Sequence, residues 1–395
     1  MQLSSVEGRR RHQAIQAMLE QRGYDAFVVL APSNFLYVTN FPLDVDPWER
    51  PIAAIFPREG EPILIMHELS TISFSLTCRL ETCWVRSAEF YVEHPSLNGR
   101  KYFVHEWDRL FAMVLERLGL ERRNLAFDAL QLIPPGVRER LPFATFTAEP
   151  DLLHRLRMVK SREELALMRA CGEATDWAQG HFHDLLSDGE YLKDVCLETN
   201  RRLGHFLVER YPESQFRPMV EGSCGAVSAS PHHAGAGSGM KLHRGDNVVN
   251  FIAVVMNGYF VENERTYFVG TADAAQREYF DVMLAAHQAA LAMMVEGQRI
   301  SDIDSAAQTV IERAGYGAHI LHRSGHGMGI GGHEYPVDMS FNHDPLLAGM
   351  VISCEPAIYV EDVGGFRHSN SVAVGSTEPS LLTQSAINFE AMLVP

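Results

Sequence analysis

The pattern that organises the chain runs from Leu242 to Gly270, LHRGDNVVNFIAVVMNGYFVENERTYFVG. Two β-rich runs, Asn247 to Val255 and Tyr259 to Val269, flank Asn257-Gly258, the dipeptide that most favours a two-residue type I′ hairpin turn. That turn sets a register in which Met256 faces Tyr259, Ala253 faces Glu262 and Phe251 faces Glu264. Side chains alternate along a strand, so Glu262 and Glu264 project from one face about 7 Å apart. Their cross-strand neighbours Phe251, Ala253 and Val255 are apolar. Two carboxylates on such a face are costly to bury unless a cation, a metal or a proton compensates them, whereas a solvated face would leave them bland.

Before this hairpin, helical and strand patterns alternate as far as Glu149. Arg9 to Arg22 places Ile15, Met18 and Leu19 on one helical face and stops at Gly23, and Ala26 to Leu30 is an apolar strand. Ile52 to Phe56, Pro62 to Met66 and Leu125 to Phe127 read as further strands and Glu106 to Leu118 as a helix, which gives an α/β domain over residues 1–150. No glycine-rich phosphate loop follows a strand there, so nucleotide binding has no support. After a boundary near Pro150, Ser161 and Glu164 form a capping box before an amphipathic helix. Helices are expected over Ser161 to Leu186, Gly189 to Glu209, Ala274 to Glu296 and Ser301 to Ala314, the last with Ser301 and Asp304 as its own box. Helices around an antiparallel sheet of hairpins make the second domain, 151–395, α+β.

Composition narrows the partners. The 395 residues are 46% hydrophobic and 21% charged, an ordinary globular balance for two domains. A net charge of -16, from 50 acids against 34 bases, disfavours nucleic acid or an anionic membrane as partner. Met1 to Gly23 has no apolar core of signal-peptide length, and no stretch approaches the roughly 18 unbroken apolar residues of a membrane span, so a cytoplasmic location is expected. Cys78, Cys83, Cys171, Cys196, Cys224 and Cys354 show neither zinc-finger pairing nor the density of a disulfide scaffold and read as buried thiols. Cys354 adjoins Glu355, but on an apolar strand it alternates away from its neighbour.

The hairpin, with Gly258, Tyr259, Arg265 and Thr266, resembles that of the pita-bread enzymes, the family of creatinase, prolidase, aminopeptidase P and methionine aminopeptidase. Ser33 to Phe41 and Leu156 to Ala170 resemble segments of the same family, in the amino-terminal domain and at the start of the catalytic domain. GSCGAVSASPHH, Gly222 to His233, resembles the segment that supplies an active-site histidine, here His232 with His233 as the alternative. A histidine pair in a Gly/Ser/Ala-rich loop has no core to satisfy. SGHGMGIGGHEYP, Ser324 to Pro336, matches a motif whose first histidine binds metal in the peptidases, here His326, and whose second sits near substrate, here His333. VISCEPAIYV, Val351 to Val360, matches a strand that carries a ligand glutamate, here Glu355.

Two ligand positions depart from the peptidase pattern. Spacing from the turn puts Phe251 at the first ligand aspartate, creatinase likeness puts Asn250 there, and Glu262 stands at the second. In GGFRHSNSVAV, Gly364 to Val374, Ser369 stands where a ligand glutamate belongs. The resemblance thus implies that the bridging carboxylates of a dinuclear centre are missing. It points instead to creatinase, which works without metal and whose hairpin ends Glu-Arg-Thr, matched by Glu264, Arg265 and Thr266. Trp48 and Arg50 match an aromatic residue and an arginine that reach the substrate of the partner subunit. By the same resemblance His232 moves the proton, Glu264 and Glu355 hold a cationic group, and Glu262, His326, His333 and Ser369 line the substrate.

The expectation is therefore an α/β creatinase-type N-terminal domain plus an α+β pita-bread catalytic domain, forming a homodimer with shared sites. It is expected to need no metal or other cofactor and to hydrolyse a non-peptide C–N bond, amidino, ureido or amide, of a small substrate. Two other readings stand beside it. An Xaa-Pro-type metallopeptidase would use a reduced single-metal site at Glu262, His326 and Glu355, which metal analysis would reveal. A non-catalytic pita-bread binding protein would bind a small molecule tightly without turning it over.

Overall fold

The first helix of the computed structural model, α1 (Ser5–Arg22), begins where the Ser4 hydroxyl accepts the Glu7 N–H and stops at Gly23, whose φ of 72° is left-handed. The structure describes residues 1–43, 45–92, 103–232, 237–337 and 339–395. His233, the alternative to His232, lies outside them. The chain divides into two compact units, residues 2–157 and residues 158–395 with Met1. The division falls at the end of the helix that follows Pro150 rather than at Pro150 itself.

In the N-terminal unit β1 (Ala26–Val29), β2 (Ala53–Pro57), β3 (Ile63–His67), β4 (Ser87–Tyr91), β5 (Asn124–Phe127) and β6 (Thr145–Ala148) form one sheet in the order β4-β3-β2-β1-β5-β6. The β1/β2 and β2/β3 pairs are antiparallel and the β3/β4, β1/β5 and β5/β6 pairs parallel. Every residue of β1, β2 and β3 is buried, because α1 and α2 (Pro32–Thr39) lie on one face while α4 (Phe103–Arg117) lies on the other; α3 (Thr71–Arg79) follows β3. Val28, Ile55 and Ile65 pack in one core with Trp107, Phe111 and Leu115. Two shorter helices, α5 (Gly136–Arg140) and α6 (Asp151–Met158), follow.

The C-terminal unit opens with the expected capping box. The Ser161 hydroxyl accepts the Glu164 N–H at 3.3 Å, and the Glu164 carboxylate accepts the Ser161 N–H at 2.8 Å, starting α7 (Arg162–Leu185). Further helices are α8 (Leu192–Arg210), α9 (Ala274–Ala292) and α10 (Ile300–Arg313). The box expected at Ser301 and Asp304 does not form. α10 starts earlier, with Asp302 accepting the Arg299 N–H at 3.3 Å, and Asp304 instead accepts the Ser324 N–H at 2.7 Å. A long-range backbone donor outcompetes the local one.

The strands here are β7 (Phe216–Cys224), β8 (Asn247–Met256), β9 (Tyr259–Glu264), β10 (Thr266–Val269), β11 (Gly327–Gly329), β12 (Gly331–Glu334), β13 (Val351–Cys354), β14 (Ala357–Val360), β15 (Gly364–Arg367), β16 (Ser369–Ala373), β17 (Ser380–Leu381) and β18 (Leu393–Val394). Ten of them join in the order β12-β11-β13-β16-β9-β8-β10-β18, with β7 on β8 and β17 on β16; β14 and β15 form a separate hairpin. The sheet is antiparallel apart from β10/β18. Asn257 at φ 48° and Gly258 at φ 89° turn β8 into β9, as the type I′ geometry requires. This is the α/β plus α+β two-domain pita-bread architecture expected from the sequence. Among the described residues no helix is long and apolar enough to cross a membrane.

Behind the sheet two buried histidines make the fold acid-sensitive. His368 accepts the Thr266 N–H at Nδ1 (3.3 Å) and faces the Ile387 carbonyl with Nε2 (3.1 Å), so its neutral form is fully used. Burial and the nearby Arg265 hold it well below the ordinary range, and the same causes push His287 of α9 down to about 3. Their folded affinities for protons lie below the unfolded value, so the unfolded chain takes up protons first as pH drops. Stability is full above about pH 6.5 and falls below it, by up to roughly 1.4 kcal/mol per pH unit for each group. Denaturation at pH 7.5 and 5.5 should show this loss, and His287→Leu should reduce its slope; equal slopes in the two proteins would exclude the assignment to His287.

Candidate functional site

The hairpin register is the one its turn dictates: Met256 pairs with Tyr259 and Ala253 with Glu262, and Val249 with Thr266 carries the same register past Arg265. Alternation then decides between Asn250 and Phe251. The Asn250 amide donates to Gln179 of α7 at 2.8 Å, and its oxygen accepts the Arg265 N–H at 2.8 Å. Asn250 thus faces the helices, and Phe251 shares the face of Glu262 and Glu264, where it meets Phe260 with ring centroids 6.4 Å apart. Arg265 breaks β9 from β10 because its guanidinium turns into the backbone and donates to the carbonyls of Glu264, Ser369, Ser385 and Ala386.

Three chain segments close on the hairpin. Ser369 of β16 pairs with Glu264 in register, and its hydroxyl lies 3.4 Å from Glu262 Oε1 and 3.0 Å from the Ser353 hydroxyl. The loop before β11 is tied to β13 by the Ser353 N–H on the His326 carbonyl (2.8 Å) and the Glu355 N–H on the Ser324 carbonyl (2.9 Å). A Cβ at Gly325 would stand 1.9 Å from the Ser353 carbonyl oxygen, so only glycine lets the loop approach this closely. Together these ties deliver His326 and Glu355 to the carboxylate face.

His326 Nε2 lies 3.4 Å from both Glu262 Oε1 and Glu355 Oε1, with all three side chains largely buried. Burial alone would discharge the imidazole, yet hydrogen bonding and charge from Glu262, with the charge of Glu355, push it up to about 9. Burial and the charge of Glu262 push Glu355 up to about 7. Burial works against ionisation of Glu262 too, but His326 prevails and holds it below the ordinary value. In this state an imidazolium proton does the compensating that a metal cation would do, and a cation taking its place would release it.

The ligand atoms of Glu262, His326 and Glu355 all lie within 4.8 Å of one another. One imidazole and two carboxylates are a donor set suited to one divalent first-row ion. Among the described residues no further acid is placed to hold a second ion. Phe251 and Ser369 offer no acid, and Glu264 is engaged elsewhere: Arg367 places Nε 2.6 Å from its Oε2 and donates from Nη2 to its Oε1 at 2.7 Å. Arg367 Nη1 donates further to the Tyr359 hydroxyl and to the Pro231 carbonyl, both at 2.9 Å. Tyr359 in turn meets His322 Nε2 at 2.8 Å.

His333 stacks on His326, centroids 3.7 Å apart and planes 12° apart, and its Nδ1 accepts from Arg323 Nη2 at 3.1 Å. His232 is exposed, directly after the Pro231 carbonyl that Arg367 grips. Of the residues singled out from sequence, Glu262, Glu264, His326, His333, Glu355 and Ser369 come together, with His232 on a loop held to the same cluster. Trp48, 79% exposed, and Arg50, paired with Glu49 at 3.2 Å, belong to the N-terminal unit. Cys354 turns away, its thiol 3.7 Å from the His287 carbonyl, and burial raises its pKa far above the ordinary range. Sequence reading gave no role to His322, Arg323, Tyr359 or Arg367. The signal was present for Arg367, a lone charge in a strand of glycine, small and apolar residues, and for Arg323 beside the SGHG motif.

Residues 166–376 match Metallopeptidase family M24, and residues 11–159 match the Creatinase/Prolidase N-terminal domain. The putative dipeptidase YkvY of Bacillus subtilis is 28% identical over 388 residues, 95% of this chain and 97% of its own. The Xaa-Pro dipeptidase of Pyrococcus furiosus is 28% identical over 270 residues, 68% and 74% of the two chains. The crystal structure of dipeptidase PepE from Mycobacterium ulcerans superposes with a TM-score of 0.82 at 25% identity, covering 100% of both chains. The N-terminal domain of the FACT subunit SPT16 from chickpea also shares the fold, with a TM-score of 0.74 at 13% identity. These relatives overturn the expectation of a metal-independent, creatinase-like hydrolase of non-peptide C–N bonds, and with it the expectation of no metal cofactor. They favour instead the alternative reading, a metallopeptidase, and the three donors which that reading named, Glu262, His326 and Glu355, do converge.

Proposed function

The chain belongs to metallopeptidase family M24, and from that premise we propose that it is a dipeptidase of the Xaa-Pro type working with a single divalent ion. The observation that supports this most is the convergence of Glu262, His326 and Glu355, which would hold the ion. When bound, such an ion supplies Lewis acidity. His326 contacts the Gly327 carbonyl with Nδ1 at 3.2 Å, which leaves Nε2 for the acid cluster. His333, accepting at Nδ1, has its remaining N–H at Nε2 for the substrate carbonyl. His232 is the proposed carrier of a proton to the leaving nitrogen, its loop anchored by Arg367. Phe251 and Phe260 offer an apolar wall of a kind that suits a pyrrolidine ring.

Fold alone does not carry this reading, since SPT16 shares it; the donor set does. The test is metal analysis coupled to turnover. Protein purified without chelator is expected to hold about one divalent ion per chain, and hydrolysis of Xaa-Pro dipeptides should disappear on chelation and return with the ion. Two ions per chain would reject the single-ion site. No ion and no dipeptide turnover would reject the enzyme and favour a non-catalytic binding protein.

A further inference from the structure

In the N-terminal unit α3 ends on a turn that folds the chain back on itself. The Glu81 N–H donates to the Cys78 carbonyl at 3.3 Å and the Thr82 N–H to the Thr77 carbonyl at 3.0 Å, the paired bonds of a Schellman stop. Its left-handed position, φ 58°, is taken by Glu81 where glycine would be relaxed. The next residue, Cys83, also directs its N–H to the Thr77 carbonyl, at 3.4 Å. The turn therefore lays the backbone of Cys83 alongside that of Cys78.

Their side chains converge as well. Both thiols donate to one acceptor, the Val85 carbonyl, from 3.2 Å for Cys83 and 3.9 Å for Cys78. Burial, with the charge and hydrogen bonding of nearby Cys78, pushes the Cys83 thiol up to about 12. Cys78 is the accessible member of the pair, half-buried on a helix that has no buried residue, whereas Cys171, Cys196, Cys224 and Cys354 are buried like Cys83. A thiol that a reagent can reach, beside one that it cannot, is the arrangement of an attacking and a resolving cysteine.

We propose that Cys78 and Cys83 form a reversible disulfide by exchange with a low-molecular-weight disulfide. In the first step the Cys78 thiolate attacks one sulfur of the reagent, and the other half leaves as a thiolate that takes a proton. In the second, Cys83 gives up its proton and attacks the Cys78 sulfur, expelling the remaining half as a second thiol. The chain loses two electrons and two protons, and the reagent gains both. Because burial raises the affinity of Cys83 for its proton, the second step is the slower one and depends on the nearness that the turn provides. The bridge ties the end of α3 to a run already pinned to the end of α2, by the Trp84 N–H on the Thr39 carbonyl and Asn40 Nδ2 on the Thr82 carbonyl, both at 2.9 Å. None of these residues belongs to the acid cluster, so the bridge stands or falls apart from the peptidase reading. The competing role is that both thiols serve only as weak donors to the Val85 carbonyl.

The experiment treats the folded chain with oxidised glutathione at about pH 8, then unfolds it in an alkylating reagent and reads intact mass and peptide map. Wild type is expected to lose about 2 Da before alkylation, to show two fewer than its six thiols, and to yield a cross-linked Cys78–Cys83 peptide that dithiothreitol releases. Cys83→Ser should stop at a glutathione adduct on Cys78, and Cys78→Ser should carry neither adduct nor bridge at Cys83. Wild-type protein that keeps all six thiols, or that holds a stable adduct on Cys78 without the bridge, would overturn the proposal. A bridge of any other pairing would do the same. The wild-type mass and map decide the matter even where a serine variant does not fold.

Discussion

Replacing His326 with alanine is expected to remove stoichiometric metal and to lower dipeptide turnover by more than about a hundredfold, with the fold retained. An outer-shell change costs roughly 10–100-fold in affinity or activity, so losing one of only three ligands should exceed that range. Without the ion, the buried imidazolium compensates Glu262 and Glu355 from 3.4 Å. The variant leaves two carboxylates facing one another, and they are expected to share a proton rather than ionise together. Ser369 still lies 3.4 Å from Glu262, and the Ser353 N–H still finds the backbone carbonyl of residue 326, so the segment keeps its backbone ties. Elemental analysis, turnover and circular dichroism on one preparation make the check. A folded variant that keeps one ion and stays within tenfold of wild-type activity would mean that the metal is held elsewhere.

What the sequence made legible is what local rules govern. The hairpin could be read because Asn257-Gly258 demands two positive φ values and because alternation then fixes the face of Glu262. His326 and Glu355 could be read because their segments resemble the family's, and in the first of them Gly325 against the Ser353 carbonyl is the close approach its glycines allow. Competition between distant partners was not legible. Asp304 looked like half of a capping box until the Ser324 N–H, twenty residues away, claimed it. Glu264 looked like a carboxylate waiting for a cationic substrate, but its cation is Arg367, 103 positions along the chain. Asn250 and Phe251 could not be ranked without knowing that Gln179 of α7 takes the Asn250 amide. The choice of a metal-free reaction failed for the same reason: it weighed which ligands were missing and had no measure of how closely Glu262, His326 and Glu355 meet.

The Arg367–Glu264 pair leads to the second large effect, on stability. Both side chains are almost fully buried, at 7% and 3% exposure, and the ion pair is linked to the Tyr359 hydroxyl and the Pro231 carbonyl. Burial, with the charges of Glu355 and Glu262, pushes Glu264 up to about 8 even beside Arg367, whereas the Glu264 carboxylate outweighs burial at Arg367 and holds its proton more tightly than water would. The two-point contact at 2.6 and 2.7 Å is the geometry of an ionised pair, and the expected loss of stability follows from it. Arg367→Ala therefore leaves Glu264 beside Glu262 and Glu355 with its cation removed, and such a loss costs about 3–5 kcal/mol. For a unit of this size each kcal/mol moves Tm by about 2–4 °C, so a drop of roughly 6–20 °C is expected in the C-terminal unit. Removing both charges should cost less than removing one. Glu264→Leu combined with Arg367→Met is expected to melt above Arg367→Ala, because no buried charge is left unpaired. Activity need not return with stability in that double variant, since the Pro231 carbonyl still lacks its donor and the His232 loop its anchor. If Arg367→Ala melts within 2 °C of wild type, or if the double variant is less stable than either single one, the pair does not hold this site together as its geometry implies.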